Sequence, residues 1–243
     1  YTYRYDELNR LTQVSQNDRA LRSYEYDSFG NRTKRIDAHT GTTDYTYNAL
    51  DQLIRSKDVF GKHIYHYDAR GNLILEETSE GTAETAYEYD ALNLLSRARL
   101  ADGREAHFTY DGMLRRYSVA RRTAEGATSI LEYVLDPTRF CNNLMQTFID
   151  GQLGQSYLWD TDNLLAIEID DSQTTSVVQD PLGSILRILD NSSIPSSFAY
   201  DEFGNNVYDD EQIHIPFAYT GYLKDGITRS LYAQARQYLP NIG

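Results

Sequence analysis

A Tyr-x-Tyr-Asp pattern returns along this chain about every 21 residues. A fixed period of that size restricts the fold to repeat architectures, with one supersecondary unit per period. The well-formed copies are Tyr3-Arg4-Tyr5-Asp6, Tyr24-Glu25-Tyr26-Asp27, Tyr45-Thr46-Tyr47-Asn48, Tyr65-His66-Tyr67-Asp68, Tyr87-Glu88-Tyr89-Asp90, Phe108-Thr109-Tyr110-Asp111, Tyr157-Leu158-Trp159-Asp160 and Phe198-Ala199-Tyr200-Asp201. The second aromatics of the first six stand at 5, 26, 47, 67, 89 and 110, giving steps of 21, 21, 20, 22 and 21.

Two aromatics two positions apart share one face of a strand, whereas in a helix they would diverge by about 200°. No apolar stripe at helical spacing accompanies them, so the pattern predicts strand. The next residue is always Asp or Asn: Asp6, Asp27, Asn48, Asp68, Asp90, Asp111, Asp160, Asp201. Such side chains accept hydrogen bonds from backbone just ahead of them and start turns. Three residues further on stand Asn9, Gly30, Asp51, Gly71, Asn93, Leu114, Asn163 and Gly204. All but Leu114 tolerate a positive φ, so a left-handed residue is expected there, with a shifted Asp111-Gly112 turn at Leu114.

A second strand follows each turn, often opening on Leu (Leu11, Leu53, Leu73, Leu95, Leu165). It runs to another turn signal such as Asn17-Asp18, Thr40-Gly41, Phe60-Gly61, Glu80-Gly81, Asp102-Gly103, Asp150-Gly151 or Asn191-Ser192. Asp-Gly is a strong hairpin signal. The expected fold is all-β, a continuous antiparallel meander of roughly twenty short strands with the Tyr-Asp turns along one edge. Regularity loosens after Tyr110: Tyr133-Val134-Leu135-Asp136-Pro137, Val177-Val178-Gln179-Asp180-Pro181-Leu182-Gly183 and Phe217-Ala218-Tyr219-Thr220-Gly221 are degenerate copies. Leu231 to Tyr238 has a weaker strand pattern that allows a short helical turn. One array over 1–243 is expected: regular repeats over 1–120, irregular ones over 121–190, and a distinct segment over 191–243.

The chain has 243 residues and 21 Tyr against 8 Phe. Tyr joins a large apolar ring to a polar tip, which suits a sheet facing a wet interior better than a dry core. Net charge is −13, which opposes phosphate backbones, so no nucleic-acid partner is expected. No apolar run reaches the length of a membrane span. The single cysteine, Cys141, excludes an internal disulfide and reads as a buried small hydrophobe. Residue 1 already lies inside a repeat, so the chain is expected to be part of a longer polypeptide.

These residues resemble the YD-repeat of the Rhs family, found in bacterial polymorphic toxins, in the C component of bacterial ABC-type toxin complexes, in wall-associated proteins and in animal teneurins. The resemblance covers the whole chain. Its most specific part is C-terminal: Pro216-Phe217-Ala218-Tyr219-Thr220-Gly221-Tyr222, then Leu231-Tyr232, Ala235-Arg236, Tyr238, Pro240 and Gly243. This is similar to the Rhs-associated core motif, P-F-x-Y-T-G followed by G-L-Y-Y-x-x-A-R-Y-Y-D-P-x-x-G-R-F. Asp180-Pro181-Leu182-Gly183-Ser184 resembles the D-H-L-G-S signature that precedes it. Ser230, Leu239 and Pro181 depart from the usual Gly, Asp and His.

The resemblance implies hairpins wound into a spiralling β-sheet shell that encloses a C-terminal toxin or effector domain of the same polypeptide. The partners it implies are that cargo and the remaining shell or delivery components, in a secreted or exported bacterial protein. The alternative it leaves open is an extracellular wall-associated or teneurin-like binding module, with Tyr rings that could stack on carbohydrate.

Little else suggests chemistry. His63 and His66 would point to opposite faces of a strand, which argues against shared metal ligation. Asp160-x-Asp162 lacks the third ligand and the glycine of a calcium loop. Asp180-Pro181-Leu182-Gly183 is similar to the family's self-cleavage motif D-P-x-G, but a turn is the simpler reading. Cys141 has no plausible histidine partner, and no phosphate loop, nucleophile elbow or dinucleotide fingerprint occurs. No catalytic residue, metal or cofactor is expected.

Overall fold

The computed structural model describes residues 1–78, 82–139, 143–170, 173–189, 196–209 and 215–242. The expectations placed on Glu80-Gly81, Cys141, Asn191-Ser192 and Gly243 lie outside these residues. The described chain is all-β, relieved by one 3-10 turn at Tyr219–Gly221. It divides into two compact units, Tyr1–Tyr87 and Glu88–Gly243.

Up to the strand that contains the unit boundary, β1 (Thr2–Tyr5), β2 (Leu11–Gln16), β3 (Arg19–Tyr26), β4 (Arg32–Asp37), β5 (Gly41–Tyr47), β6 (Leu53–Lys57), β7 (Lys62–Tyr67), β8 (Leu73–Thr78) and β9 (Ala83–Tyr89) pair antiparallel in chain order. In the second unit, β10 (Leu95–Leu100), β11 (Glu105–Tyr110), β12 (Arg116–Arg122), β13 (Thr128–Leu135), β14 (Leu144–Ile149), β15 (Gln152–Trp159), β16 (Leu164–Asp170), β17 (Gln173–Gln179), β18 (Ile185–Leu189), β19 (Ser196–Tyr200) and β20 (Asn206–Asp209) do the same. The hairpin ends follow local chemistry. Asn17 and Asp18 both take positive φ (50° and 61°), the two-residue loop whose twist matches flanking strands, and Asp150-Gly151 repeats it.

Among the described residues, nine hairpins of this type carry a β-bulge beside the turn. Tyr5 faces Leu11 while Arg4 faces Gln13, leaving Thr12 as the extra residue. The same slip occurs at Tyr26, Tyr47, Tyr67, Tyr110, Leu135, Trp159, Gln179 and Tyr200. A bulge interrupts the ladder and increases twist. The second aromatic of the motif bonds across this region. Tyr26 Oη donates to the Leu11 carbonyl (2.8 Å), Tyr47 to Arg32 (3.1 Å), Tyr67 to Leu53 (2.9 Å) and Tyr110 to Leu95 (2.9 Å). Trp159 serves through its indole Nε1–H, which donates to the Leu144 carbonyl at 2.8 Å. The acceptor is each time the first residue of the strand following the preceding Tyr-Asp turn.

The first aromatic of the motif has a different task. Tyr24, Tyr45, Tyr65, Tyr87, Phe108, Tyr157 and Phe198 are all buried. Packing needs a ring but no hydroxyl, and so Phe is admitted there and not at the second position.

The first unit has a partly polar core, as its Tyr content suggests. Ser56 and Tyr65 share a hydrogen bond of 3.0 Å, and Tyr87 donates to Glu76 at 2.6 Å. Arg32, at a position mostly held by Leu, is buried with its guanidinium 4.8 Å from the centre of the Tyr45 ring. The second unit has an apolar core of Leu144, Tyr157, Leu164, Ile167, Ile185, Ile188, Phe198 and Phe217.

The C-terminal segment departs from expectation. Leu231 to Tyr238 holds no helical turn; it contributes β22 (Leu231–Tyr232) and β23 (Gln237–Tyr238), which complete a small sheet with β21 (Leu223–Lys224). The helical turn lies earlier, at Tyr219–Gly221, where Thr220 takes a positive φ of 51°. Its reason is the packing of that loop, described below.

The clamp is testable at Tyr67, whose phenol is pushed up to about 12 by burial, so its O–H stays a donor across the neutral range. Tyr67→Phe keeps the ring and deletes the bond to Leu53. We expect a loss of about 1 kcal/mol, read as a lower midpoint in urea denaturation; an unchanged midpoint would show that the hydroxyl contributes nothing.

Candidate functional site

The repeated turn is the structure's most organised polar site. At Asp6 the backbone N–H donates to the Arg10 carbonyl (3.0 Å) and the Asn9 N–H returns to the Asp6 carbonyl (3.0 Å). Oδ1 accepts the N–H groups of Leu8 (3.0 Å) and Arg10 (2.9 Å). Asp27, Asn48, Asp68, Asp90, Asp111, Asp180 and Asp201 reproduce all four bonds. The third residue on is left-handed in each: Asn9, Gly30, Asp51, Gly71, Asn93, Leu114, Gly183 and Gly204.

Two expectations are corrected here. Leu114 does not shift the turn; it accepts φ 62° within the standard one, because the Asp111 bonds hold the backbone against the side chain's preference. Asn163 is absent from the left-handed residues, because its turn is one residue shorter: Asp160 N–H donates to the Asn163 carbonyl at 3.1 Å. The Asp160 carboxylate accepts the N–H groups of Asp162 and Asn163, so it is spent on the turn.

The fourth residue was a signal left unread. Arg10 and Arg115 donate through Nε to the second carboxylate oxygen of Asp6 (2.7 Å) and Asp111 (2.8 Å). Asn31, Asn72 and Asn205 donate through Nδ2 to Asp27, Asp68 and Asp201. Where Asn48 replaces the acid, its own Nδ2 donates to Gln52 Oε1 at 2.7 Å, so acceptor and donor exchange roles. Neighbouring turns are also tied: Arg10 Nη1 reaches the Asp27 carbonyl and Asn31 Nδ2 reaches Asp51 Oδ1, each at 2.8 Å. Hydrogen bonds to the charged form hold the carboxyls below their usual range: chiefly from the Arg10 backbone at Asp6, the Asn72 side chain at Asp68 and the Arg115 side chain at Asp111.

The C-terminal segment docks on the second unit through separate contacts. Phe217 meets Tyr157 and Trp159 edge-on, with centroids 5.2 and 5.5 Å apart. Lys224 N–H donates to the Pro216 carbonyl at 2.7 Å. The Thr220 N–H donates to buried Ser184 Oγ at 3.0 Å, and a Cβ on Gly221 would sit 3.4 Å from the Gly183 carbonyl oxygen. This joins the Asp180–Ser184 signature to the Pro216–Tyr222 one. Tyr219 Oη donates to the Glu202 carbonyl at 3.1 Å, and its ring fills the space a Cβ at Gly204 would enter. Tyr238 Oη donates to the Phe203 carbonyl at 2.7 Å and Asn205 Nδ2 to the Pro240 carbonyl at 3.0 Å. Arg236 closes an exposed turn through its carbonyl, which accepts the Ala233 N–H.

Arg116, which sequence reasoning missed, pins this segment. Its buried guanidinium lies 4.1 Å from the Phe108 ring centre and 4.0 Å from that of Tyr232. Asp225, also buried, stands 3.6 Å from Nη1, and the Arg116 N–H donates to Tyr232 Oη at 3.2 Å. Arg at a Leu position was the available signal.

His63 pairs with Glu84 and His66 with Glu77, at 3.0 and 2.9 Å, so the two histidines share no partner. Among the described residues no three His, Cys, Asp or Glu side chains converge as a metal site would require. From Tyr24 onward the first-position rings are core, which removes their faces from stacking on a sugar.

The fold and the recurring turn define a YD-repeat β-array. The family model for the teneurin YD-shell matches residues 1–243, and the chain belongs to that family. It is 27% identical to the tRNA3(Ser)-specific nuclease WapA of Bacillus spizizenii, over 98% of this chain and 10% of that protein. It is 24% identical to mouse Teneurin-4, over 98% of this chain and 8% of that protein. The chain therefore spans a tenth or less of these relatives. A crystal structure of TcdB2-TccC3 superposes with a TM-score of 0.50 at 16% identity, over 99% of this chain and 17% of that one; this likeness is one of fold.

Two measurements test the turn. Gly103→Ala and Gly204→Ala both place a Cβ at positive φ (89° and 86°), but only Gly204 faces an obstruction, Tyr219 Cδ1 at 2.5 Å. A loss of about 1–2 kcal/mol is expected at Gly103 and a clearly larger one at Gly204; equal losses would show that the Tyr219 contact is slack. Acid provides the second. These Asp groups bind protons less readily folded than unfolded, so their stabilisation is complete above the unfolded pKa of about 4 and is lost as pH falls through the lower folded values. Denaturation midpoints should drop below pH 4, and Asp68→Asn should flatten that dependence; an unaltered slope would overturn the assignment.

Proposed function

We propose that this chain is a wall segment of a YD shell that encloses a C-terminal toxin or effector domain of the same polypeptide. The observation that carries this reading is the destination of the polar groups. The turn carboxylates are consumed by their own turns, and Arg10, Asn31, Tyr26, Tyr47, Tyr67, Tyr110 and Trp159 each donate to a neighbouring hairpin. Such an arrangement suits a wall, and among the described residues no nucleophile stands beside a base. On this reading the chain is not an enzyme; an activity such as the nuclease one in the name of the WapA relative would reside in the cargo. Residues 1–243 form one array that ends in a core motif over 191–243. The carrier is exported, consistent with the family; no helix among the described residues is long and apolar enough to cross a membrane.

The test is limited proteolysis of the parent polypeptide. The segment after the array should resist a broad-specificity protease, and Arg116→Ala, which loosens the docked C-terminal segment, should expose it. Digestion of that segment in the intact protein at the rate of the isolated segment would overturn the enclosing role.

A further inference from the structure

In the first unit the ring of Tyr26 carries a cation supplied by the turn before it. Arg10 sets its guanidinium 5.0 Å from the Tyr26 ring centre. Its Nε donates to Asp6 Oδ2 at 2.7 Å and its Nη1 to the Asp27 carbonyl at 2.8 Å. A carboxylate, a ring and a carbonyl thus hold one planar cation between two successive turns.

One repeat later the same three surfaces recur without the cation. Asn31 stands in the place of Arg10, Asp27 in that of Asp6, Tyr47 in that of Tyr26 and Asn48 in that of Asp27. The two amide hydrogens of Asn31 are spent on Asp27 Oδ2 and Asp51 Oδ1. Arg32 lies against Tyr45, but among the described residues no cation stands over the Tyr47 ring. An open groove of about 500 Å³ lies here. Its walls include Asp27, Tyr47 and Asn48, the counterparts of the three residues that Arg10 touches. Phe29, 80% exposed, adds a second ring to the lining.

The groove is also more acidic than its turns require. It is lined by the carboxylates of Asp27 and Asp51 and by no Lys or Arg. Asp51 fills the left-handed place of the Asn48 turn, where the other turns of this kind carry Gly, Asn or Leu. A neutral residue therefore satisfies the turn, and the turn does not explain the charge. The Asp51 side chain is exposed, and among the described residues its one partner is Asn31. Two carboxylates oppose an anionic occupant. A guanidinium suits the groove better than an ammonium, because it stacks on a ring and is weakly hydrated.

We propose that this groove binds the guanidinium of an arginine side chain from a docking polypeptide, with its plane against Tyr47 and its N–H groups on Asp51 and the Asn48 carbonyl. The probe is N-acetyl-arginine amide, titrated into the whole chain and followed by saturation-transfer NMR. Saturable binding is expected. Asp51→Asn keeps the turn, since Asn9 and Asn93 hold the same place, and should weaken binding about tenfold by removing a charge-assisted bond. Asn31→Arg should abolish binding by filling the groove with the chain's own guanidinium, as Arg10 does one repeat earlier. N-acetyl-citrulline amide, a neutral isostere, should not bind. Asp44→Asn, at an exposed acid outside the groove, should bind as the parent chain does. Absence of saturable binding would overturn the proposal, as would unchanged binding in Asn31→Arg, equal weakening in Asp44→Asn or binding of the citrulline probe. Acetyl-Gly-Arg-Gly-amide should bind at least as tightly as methylguanidinium; the reverse order would make the occupant a free small cation and overturn the polypeptide source. Sedimentation should show no self-association that depends on the groove; self-association abolished by Asn31→Arg would seat a second copy there and overturn a separate partner.

Discussion

A meander of short strands needs a chain reversal between every two neighbours, and here about half of the reversals depend on a single Asp or Asn side chain. Oδ1 of the turn acid takes two backbone N–H groups that the reversal would leave facing water, and it positions the left-handed residue that lets the next strand start. The strength of this constraint is visible at Leu114. A β-carbon is unwelcome at φ 62°, yet the residue adopts it rather than disturb the Asp111 bonds. The constraint acts through acceptor geometry more than charge, because Asn48 fulfils it once Gln52 offers an acceptor in return.

From that turn follows the division of labour between the two aromatics. The turn forces a bulge into the hairpin, and the bulge breaks the ladder next to the second aromatic. Tyr or Trp there supplies a donor to a carbonyl in the adjoining hairpin, so a local turn becomes a link between repeats. The first aromatic lies one pleat earlier on the same face and is simply core. A chain rich in Tyr therefore needs no ligand to explain its composition. Arg32 and Arg116 extend the logic: each replaces the Leu that opens a second strand and lays its guanidinium on rings the motif has already placed there.

Strand identity, neighbour pairing and the turn acids were legible because each depends on residues within one repeat period of one another, the range over which period and turn chemistry operate. Leu114 was misread because a residue's own preference was given priority over the bonds around it. Asn163 was misread because a one-residue shortening leaves the motif's letters unchanged. The fourth turn residue could have been read from sequence, since Arg10, Asn31, Asn72, Arg115 and Asn205 recur at a fixed offset from the acid. Bulge positions could not, because they are properties of register between strands. Nor could the partners of Arg116: Asp225 and Tyr232 lie more than a hundred residues away along the chain.

That distant pairing shows what the C-terminal segment adds to an array otherwise made of short-range links. The repeats bond neighbour to neighbour, so their stability is close to a sum of local terms. The segment from Pro216 to Pro240 bonds instead to β12, to the Asp180–Ser184 turn and to the Asp201 turn together. Arg116 and Asp225 are both desolvated at this junction. Removing one partner of such a pair leaves the other charge buried, typically a loss of about 3–5 kcal/mol. The two rings around Arg116 and the hydroxyl of Tyr232 make the junction selective for Arg, since Lys offers no planar group to stack between them. The segment is thereby committed to one register on the second unit, with Tyr238 bonded to the Phe203 carbonyl and the Pro240 carbonyl bonded to Asn205.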